Sequence, residues 1–318
     1  MSEDGHPYDA LRPEVVIAAA EAVGLAPDGR LLALNSFENR VYQLGLEDRS
    51  FVIAKFYRPG RWSDAAIAEE HAYTRELVEA ELPVVAPLER DGASVFSHAG
   101  FRFAVFPRRG GRAPELEHLD VAEWMGRTLA RVHAVGARSR FAHRPAITVR
   151  AYVRDALAAV LASGLLPRTL EQRYRDAVLD AAASLDDVWE ALGPVTQLRL
   201  HGDCHPGNVL WDTTGPLLVD LDDARTGPAV QDLWMLFTGA EAQRNALLEG
   251  YSQFRDFDHR ELSLIDPLRL MRQVHYAGWI AARWDDPAFP AAFPWAGEAR
   301  WWEGHLNDVL EASAEMPL

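Results

Sequence analysis

The chain has 318 residues, 48% of them hydrophobic, and a formal net charge of −15 at pH 7. That length is enough for one large domain or two lobes, and the acidic balance argues against a general nucleic-acid-binding protein, which would usually carry a basic face. No stretch approaches the roughly 18 uninterrupted apolar residues of a membrane span. No signal peptide is visible, and the single cysteine, Cys204, fits a reducing compartment. We therefore expect a cytoplasmic protein that binds neither nucleic acid nor a membrane, and we expect it to be a monomer.

Lysine is almost absent: of the 32 basic residues, only Lys55 is lysine. A lysine that persists among arginines can mark a place where a compact ammonium is needed. Lys55 ends the run FVIAK, in which strand alternation puts Phe51, Ile53 and Lys55 on one face. The alternative, one lysine left by chance on a solvated surface, does not explain this strand position.

The N-terminal part predicts a helix followed by strands. Pro13 to Gly24 is typical of a helix, with Pro in a permitted first-turn position and Gly near the end. Apolar runs bounded by turn residues predict strands at Leu31 to Leu34, Arg40 to Leu46 and Phe51 to Tyr57. The turn 35–39 contains Ser36 and no glycine. Its N–H groups and hydroxyl can meet phosphates as in an anion-binding nest, or it is only a polar hairpin turn.

A second helix is predicted from Ser63, as its N-cap, to about Ala80. Its inward stripe follows from spacings of four, three and four, and consists of Ala66, Glu70, Tyr73 and Leu77. We interpret Glu69 and Glu76 as solvated. An inward carboxylate needs a partner, so we predict that Glu70 pairs with Lys55.

Further strands are predicted at Val84 to Leu88, Ser94 to Phe96 and Phe101 to Phe106. Pro107 to Arg112 then breaks the pattern, and we place the lobe boundary there. Residues 1–107 form the expected sheet-rich N-lobe and residues 108–318 the expected helical C-lobe. Helices are predicted at Leu119 to Val135, Val149 to Ser163, Leu170 to Leu192, from about Pro228, at Glu241 to Phe254 and at Arg260 to Trp284.

Oxygen-bearing side chains are concentrated between His201 and Asp220. The stretch reads HGDCHPGNVLW, a turn, and LLVD, and it presents Asp203, Asn208 and the strand-borne Asp220. Such an all-oxygen set suits Mg²⁺, which is typically held by one or two carboxylates plus substrate phosphates. The spacing H-x-D-x-x-x-x-N before a strand Asp is that of the kinase catalytic loop and metal-binding Asp.

These motifs carry a family resemblance. HGDCHPGN followed by VDLDDARTGPAVQDLWML resembles the aminoglycoside/choline-kinase superfamily. The segments LNSFENRVYQ, FVIAKFYRPGRW, FAVFP, HRPAI and DPAFPAAFPW extend the resemblance over nearly the whole chain to the bacterial stress response kinases. The resemblance implies a two-lobed, α+β, protein-kinase-like fold and Mg²⁺-dependent transfer of phosphate from ATP. It also implies Ser/Thr acceptors in proteins and a stress-protective role.

Residue by residue, the resemblance implies Asp203 as the acceptor of the substrate hydroxyl's proton and Asn208 and Asp220 as the Mg²⁺ ligands. Lys55 would neutralise phosphate charge, and Ser36 would contact ATP.

Other parts of the chain receive supporting roles by resemblance. Backbone groups of Phe106 to Arg109 would bind adenine, and Asp232 would brace the catalytic loop. The C-terminal segment WDDPAFPAAFPWAGEARWW would line the acceptor cleft. We interpret His201 as a support of the loop through a hydrogen bond, and Cys204 as a small buried residue.

Several alternatives stay open. The acceptor can instead be a small molecule of the aminoglycoside, choline or homoserine type. A nucleotide-sensing pseudokinase and a metallohydrolase using HGDCH are further possibilities, although the second makes Lys55 and Asn208 coincidences. Asp222 and Asp223 have no secure role; one of them can bind a second metal or pair with Arg225.

Overall fold

The computed structural model describes residues 6–316 and divides into two compact units. The first unit combines the residues up to Pro145 with Gln197–Phe257. The second combines Ala146–Thr196 with the residues from Asp258 onward. All six predicted site residues belong to the first unit. The predicted lobe boundary after residue 107 stays a prediction.

A five-stranded antiparallel sheet forms the N-terminal part of the first unit, with the strand order β1-β2-β3-β5-β4. The strands are β1 Pro27–Ala33, β2 Arg40–Leu46, β3 Phe51–Phe56, β4 Phe96–His98 and β5 Phe101–Pro107. Side chains alternate between the two faces of a strand. Val52 and Phe56 enter the hydrophobic core with α1 (Pro13–Ala22), whereas Ile53 and Lys55 line a cavity on the other face.

Three longer helices complete this unit: α2 Asp64–Glu79, α3 Leu119–Gly136 and α7 Glu241–Ser252. The Ser63 hydroxyl accepts the Ala66 N–H at 3.1 Å and caps α2, as predicted. Close packing of α3 on α7 requires glycine, since a Cβ added to Gly126 would lie 1.9 Å from the Leu247 carbonyl oxygen.

Short strands position the loop His201–Asn208, which carries the motif. Strand β6 Leu198–Leu200 pairs with β9 Arg225–Gly227, and β7 Val209–Asp212 pairs with β8 Gly215–Leu218. Helix α6, Val230–Leu233, follows β9. The loop His201–Asn208 therefore joins β6 to β7, and Asp220 comes just after β8.

The second unit is helical. Its elements are a π-helical turn Arg150–Arg154 and the helices α4 Asp155–Ser163, α5 Glu171–Leu192, α8 Ile265–Ala281, α9 Ala288–Ala292 and α10 Ala299–Ala314. Aromatic rings of α8 and of the segment before α10 pack on one another: Trp279 lies 4.9 Å from Phe289 and 5.6 Å from Phe293 between ring centroids. The acceptor-cleft role of this segment stays a prediction.

The predicted α+β class is confirmed, with a sheet-rich N-terminal and a helical C-terminal region. The strand predicted at Val84 to Leu88 is wrong, because the backbone there bonds to two different neighbours, Leu218 and Val105, and forms only an isolated bridge. The helix predicted at Arg260 to Trp284 is shorter. A 3₁₀ turn precedes it, and Pro267, which has no N–H to donate, falls in the first turn of α8. Within residues 6–316, every helix is too short or too polar to cross a membrane.

Candidate active site

A cavity of about 260 Å³ lies beneath the sheet in the first unit. Four charged side chains line it: Lys55, Glu70, Arg109 and Asp220. The rest of the lining is apolar and consists of Leu34, Val41, Ile53, Val85, Phe106, Pro107, Leu210, Val219 and Leu221. A largely apolar cleft with a few charged groups is the usual form of a small-molecule site.

Lys55 is a buried cation in this cavity, whereas Arg109 is exposed. The Lys55 ammonium donates to Asp220 Oδ1 at 2.8 Å and lies 3.1 Å from Asp222 Oδ1. Burial would lower the pKa of Lys55, but the charges of Asp220 and Asp222 outweigh burial and hold that pKa well above its usual value. Lys55 therefore stays charged at neutral pH.

Glu70 lies on the inward face of α2, as predicted, and is 3% exposed. The predicted ion pair of Glu70 with Lys55 is wrong, because Asp220 and Asp222 supply the nearer negative charges. Within residues 6–316, Glu70 Oε2 has no hydrogen-bond partner. Burial raises the pKa of Glu70 to about 7, against the opposing effect of Lys55. Its carboxyl is thus partly protonated near neutral pH.

Glu69 and Glu76 are partly exposed, and their carboxylates have partners that the sequence did not indicate. The backbone N–H groups of residues 142–144 all donate to the Glu69 carboxylate, two of them at 2.8 Å. Glu76 accepts two bonds from the Arg199 guanidinium, at 2.9 and 2.6 Å. The outer side of α2 is therefore attached to the loop after α3 and to β6.

The loop His201–Asn208 is braced by Asp232, as predicted. The backbone N–H groups of His201 and Gly202 donate to the two carboxylate oxygens of Asp232, each at 2.8 Å. Asp232 is fully buried, and its Oδ2 lies 3.1 Å from His133 Nε2. Burial would raise the pKa of Asp232, but the hydrogen bond and charge of His133 outweigh it, so that pKa is lowered.

The backbone N–H and carbonyl of Val219 join this loop to Asp220. The Val219 N–H donates to the Asn208 carbonyl at 3.0 Å, and His201 Nε2 donates to the Val219 carbonyl at 2.9 Å. The predicted supporting role of His201 is confirmed. Asp220 itself adopts a left-handed conformation, with φ at 60° and ψ at 65°. Such a backbone is uncommon outside glycine and often occurs at functional sites.

Asn208 and Asp220 offer the donor set expected for Mg²⁺. Asn208 Nδ2 donates to the Asp203 carbonyl at 3.0 Å, which leaves the amide oxygen for another ligand. The Asp220 side chain is 55% exposed. Within residues 6–316, no group of three or more His, Cys, Asp or Glu is placed to hold a metal. A Mg²⁺ held by these two residues would complete its coordination with water and substrate phosphates.

Asp203 and Cys204 differ sharply in accessibility. Asp203 is partly exposed, and its Oδ2 lies 3.6 Å from His205 Nε2. Cys204 is fully buried, and burial raises the pKa of its thiol well above the usual value. The interpretation of Cys204 as a buried packing residue is confirmed, since a thiol that stays protonated is a poor nucleophile.

Ser36 lies in the turn 35–39, where its hydroxyl donates to the Asn39 carbonyl at 3.1 Å. It is not among the side chains that line the cavity. Arg58 stabilises the turn, since its guanidinium donates to the carbonyls of Glu38 at 3.0 Å and Phe37 at 3.2 Å. The contact of Ser36 with ATP stays a prediction.

Four residues of the site had no assigned role in the sequence: Asn39, Arg61, Asp222 and Asp223. Asn39 donates to Asp222 at 3.0 Å, and Arg61 donates to both aspartates. Asp223 also pairs with Arg225 at 2.9 Å, which confirms one of the two alternatives for this acid pair. The acids themselves were visible in LDDAR, but nothing near Asn39 or Arg61 indicated these partners.

Comparisons with known proteins agree with this geometry. A family model described as "Phosphotransferase enzyme family" (APH) matches residues 30–265. Stress response kinase A of Escherichia coli (strain K12) is 44% identical over 306 residues, which cover 95% of this chain and 92% of that protein. Serine/threonine protein kinase RdoA of Salmonella typhimurium (strain LT2) is 41% identical over 315 residues, with 98% and 95% covered.

Solved structures share the fold at low sequence identity. The amicoumacin kinase hAmiN, solved with AMP-PNP and Ca²⁺, superposes with a TM-score of 0.71 at 18% identity and covers 93% of this chain and 92% of its own. Choline kinase LicA from Streptococcus pneumoniae gives 0.66 at 13% identity, with 95% and 98% covered. The chain therefore belongs to the phosphotransferase enzyme family and, within it, to the group of bacterial stress response kinase A proteins.

Proposed function

We propose that this phosphotransferase uses ATP and Mg²⁺ to phosphorylate serine or threonine hydroxyls of proteins in a stress-protective role. The observation that carries the proposal is the attachment of the loop His201–Asn208 to the residue before Asp220, through the backbone N–H and the carbonyl of Val219. Lys55 and Asp220 line the cavity, and this attachment ties the loop that carries Asp203 and Asn208 to Val219, which also lines it.

Each side chain would have a separate task. Asp203, which is partly exposed, would orient the acceptor hydroxyl and take its proton. Lys55 would leave Asp220 to meet the phosphates of ATP. Asn208 and Asp220 would hold Mg²⁺, which when bound neutralises charge on the phosphates. The apolar walls of the cavity suit the adenine ring.

The choice of a protein acceptor rests on the relatives. The Salmonella typhimurium relative is named a serine/threonine protein kinase, and it aligns with 98% of this chain. Small-molecule kinases share only the fold, at 13 to 18% identity. A protein hydroxyl is therefore the first acceptor to test, and a small alcohol or amino sugar the second.

The experiment is transfer of labelled γ-phosphate from ATP with Mg²⁺ to mixed proteins, and separately to a panel of small alcohols and amino sugars. The control is Asp203→Ala, which should lower turnover by about 10²-fold or more, since general base catalysis typically contributes that much. Because Asp203 is partly exposed, the urea midpoint of the variant should match that of the wild type.

Label on protein Ser or Thr, absent from the control, is the expected result. Label on a small acceptor alone would overturn the protein-kinase proposal in favour of a metabolite or antibiotic kinase. Bound ATP without any transfer would favour a nucleotide-sensing protein, and hydrolysis that needs zinc or manganese but no nucleotide would favour a metallohydrolase.

A further inference from the structure

We propose that Asp222 is a positioning residue that fixes the two elements expected to face the phosphates of ATP, namely the Lys55 ammonium and the turn 35–39. The inference rests on the proposed kinase function and deepens it. It also gives a role to an acid that the sequence left without one.

The two oxygens of Asp222 serve different elements. Oδ1 lies 3.1 Å from Lys55 Nζ on β3, and Oδ2 accepts from Asn39 Nδ2 at 3.0 Å and from the Arg61 guanidinium. The backbone carbonyl of Asp222 in turn accepts a bond from Arg144. One carboxylate thus links a strand, a turn and the segment after β8.

Asn39 transmits the position of Asp222 to the turn. It is 3% exposed, and its side-chain oxygen accepts the backbone N–H of Arg58 at 3.1 Å while its nitrogen donates to Asp222. Its carbonyl accepts the Ser36 hydroxyl at 3.1 Å. The turn 35–39 contains no glycine. It is held at its C-terminal end by the side-chain amide of Asn39, in which the oxygen and the nitrogen are both hydrogen-bonded.

The neighbouring acids are less suited to this task. Asp220 also pairs with Lys55, but its side chain is 55% exposed, whereas that of Asp222 is 5% exposed. An accessible carboxylate can exchange a lysine for another cation, and a buried carboxylate that also holds two hydrogen-bond donors cannot do so easily. Glu70 makes no ion pair with Lys55 in the described chain. Asp222 is thus the carboxylate that stays beside Lys55.

Asp223 provides a matched control. It is the next residue, it also pairs with Arg61, and its second partner is Arg225 at 2.9 Å. Within the described residues, no bond joins Asp223 to Asn39 or Lys55. Replacing either acid by asparagine removes one charge from the same network, but only Asp222→Asn affects the lysine and the turn.

The test measures kcat, KM for ATP, ATP affinity by titration calorimetry without divalent metal, and the urea midpoint. We expect Asp222→Asn to lower kcat/KM for ATP by about 30-fold and Asp223→Asn by less than about threefold, because small misplacements of phosphate-binding groups cost up to about 10²-fold. The isosteric Asn39→Asp, which sets a second carboxylate against Asp222, should weaken ATP binding by about tenfold and change kcat by less than about threefold, since Lys55 keeps its partner.

Equal losses in the two folded aspartate variants would overturn the inference. If Asp222→Asn does not fold, Asn39→Asp decides: wild-type ATP affinity in that variant would overturn the inference, and a loss confined to nucleotide binding would support it. A wild-type protein that binds ATP but transfers no phosphate would refute the proposed kinase function, while the ATP affinities of the variants would still decide the role of Asp222.

Discussion

The loop His201–Asn208 and the turn 35–39 are each anchored by one buried aspartate, but through different groups. Asp232 accepts two backbone N–H groups of the loop. Asp222 holds the turn through the side chain of Asn39, and it is itself neutralised by Lys55 and Arg61. At the first anchor the aspartate meets the backbone directly, whereas at the second it acts through the side chain of Asn39.

This difference bears on how each region tolerates change. Asp232 accepts from backbone N–H groups, so the brace itself does not select side chains; at Gly202 the selection comes from φ at +87° and from a Cβ that would lie 2.0 Å from the Asp223 carbonyl oxygen. The contact of the turn 35–39 with Asp222 needs an amide at residue 39, and Asp222 itself needs the guanidinium at residue 61, in addition to the bonds that Arg58 donates to the turn. We expect substitutions to expose this contrast.

The largest effect is expected for Asp232→Asn. The new amide would turn an N–H toward a backbone N–H, which leaves a buried donor unpaired and removes the charge beside His133. We expect a loss of about 4 kcal/mol in the free energy of unfolding, as for a broken buried pair. Urea unfolding measures it. Asp186→Asn, which breaks an exposed pair with Arg154, should cost less than about 1 kcal/mol, and equal losses would contradict the assigned role of Asp232.

A smaller and pH-dependent effect is expected for Glu70. Within the described residues its Oε2 has no hydrogen-bond partner, and it lies 3.7 Å from His71 Nε2, where burial lowers the pKa of His71 to about 3 and keeps that ring neutral. The pKa of Glu70 is raised from 4.5 to about 7, so above pH 4.5 the unfolded chain loses this proton first. Wild-type stability should therefore fall between about pH 4.5 and pH 7 relative to Glu70→Gln, and the variant should gain up to about 3 kcal/mol by pH 8. Urea unfolding at pH 5 and pH 8 measures the gain. The same stability difference at both values would show that Glu70 ionises normally.

Arg61→Lys should destabilise the anchor of the turn to a lesser degree. A guanidinium spans Asp222 and Asp223, whereas an ammonium cannot meet both with the same geometry. One buried carboxylate would lose a donor, and we expect a cost of about 2 kcal/mol. The matched control is Arg269→Lys, in an exposed pair with Asp266 that should contribute less than about 1 kcal/mol. A cost for Arg61→Lys as small as that of the control would mean that the guanidinium is not needed.

The smallest effect is expected for Glu69→Gln, which tests backbone bracing at a partly exposed site. One of the two oxygens that accept N–H groups from residues 142–144 becomes an NH₂ group. We expect a loss of about 1 kcal/mol, typical of one hydrogen bond. Hydrogen exchange of these three amides is the direct measurement, and unchanged protection would contradict the contact.

Local patterns in the sequence predicted the features that depend on local spacing. The cap at Ser63 follows from its residue type at the start of a helix, and the inward position of Glu70 follows from helical periodicity. The H-x-D-x-x-x-x-N spacing predicted the loop from His201 to Asn208. The brace by Asp232 was also predicted, since the kinase resemblance supplied its counterpart.

Long-range partners could not be predicted in this way. Asn39 and Asp222 are 183 residues apart, and no periodicity relates them. The predicted partner of Glu70 was wrong because the sequence shows that a buried acid needs compensation but not which of three acids lies nearest Lys55. The partners of Glu69 were missed for a similar reason: its donors are backbone groups of residues 142–144, and every residue but proline has such a group.

The single lysine makes this protein chemically simple to label. The primary amines of this chain are the Lys55 side chain and the α-amino group. Lys55 is buried and held as an ammonium, which is not nucleophilic. A free acylating reagent should therefore spare it, whereas a nucleotide that carries an acyl group on its terminal phosphate would hold the acyl carbon in the cavity, where the small fraction of Lys55 present as the amine can attack it and release the nucleotide. One added mass on the peptide containing Lys55 would then count occupied sites directly, without a background from other lysines.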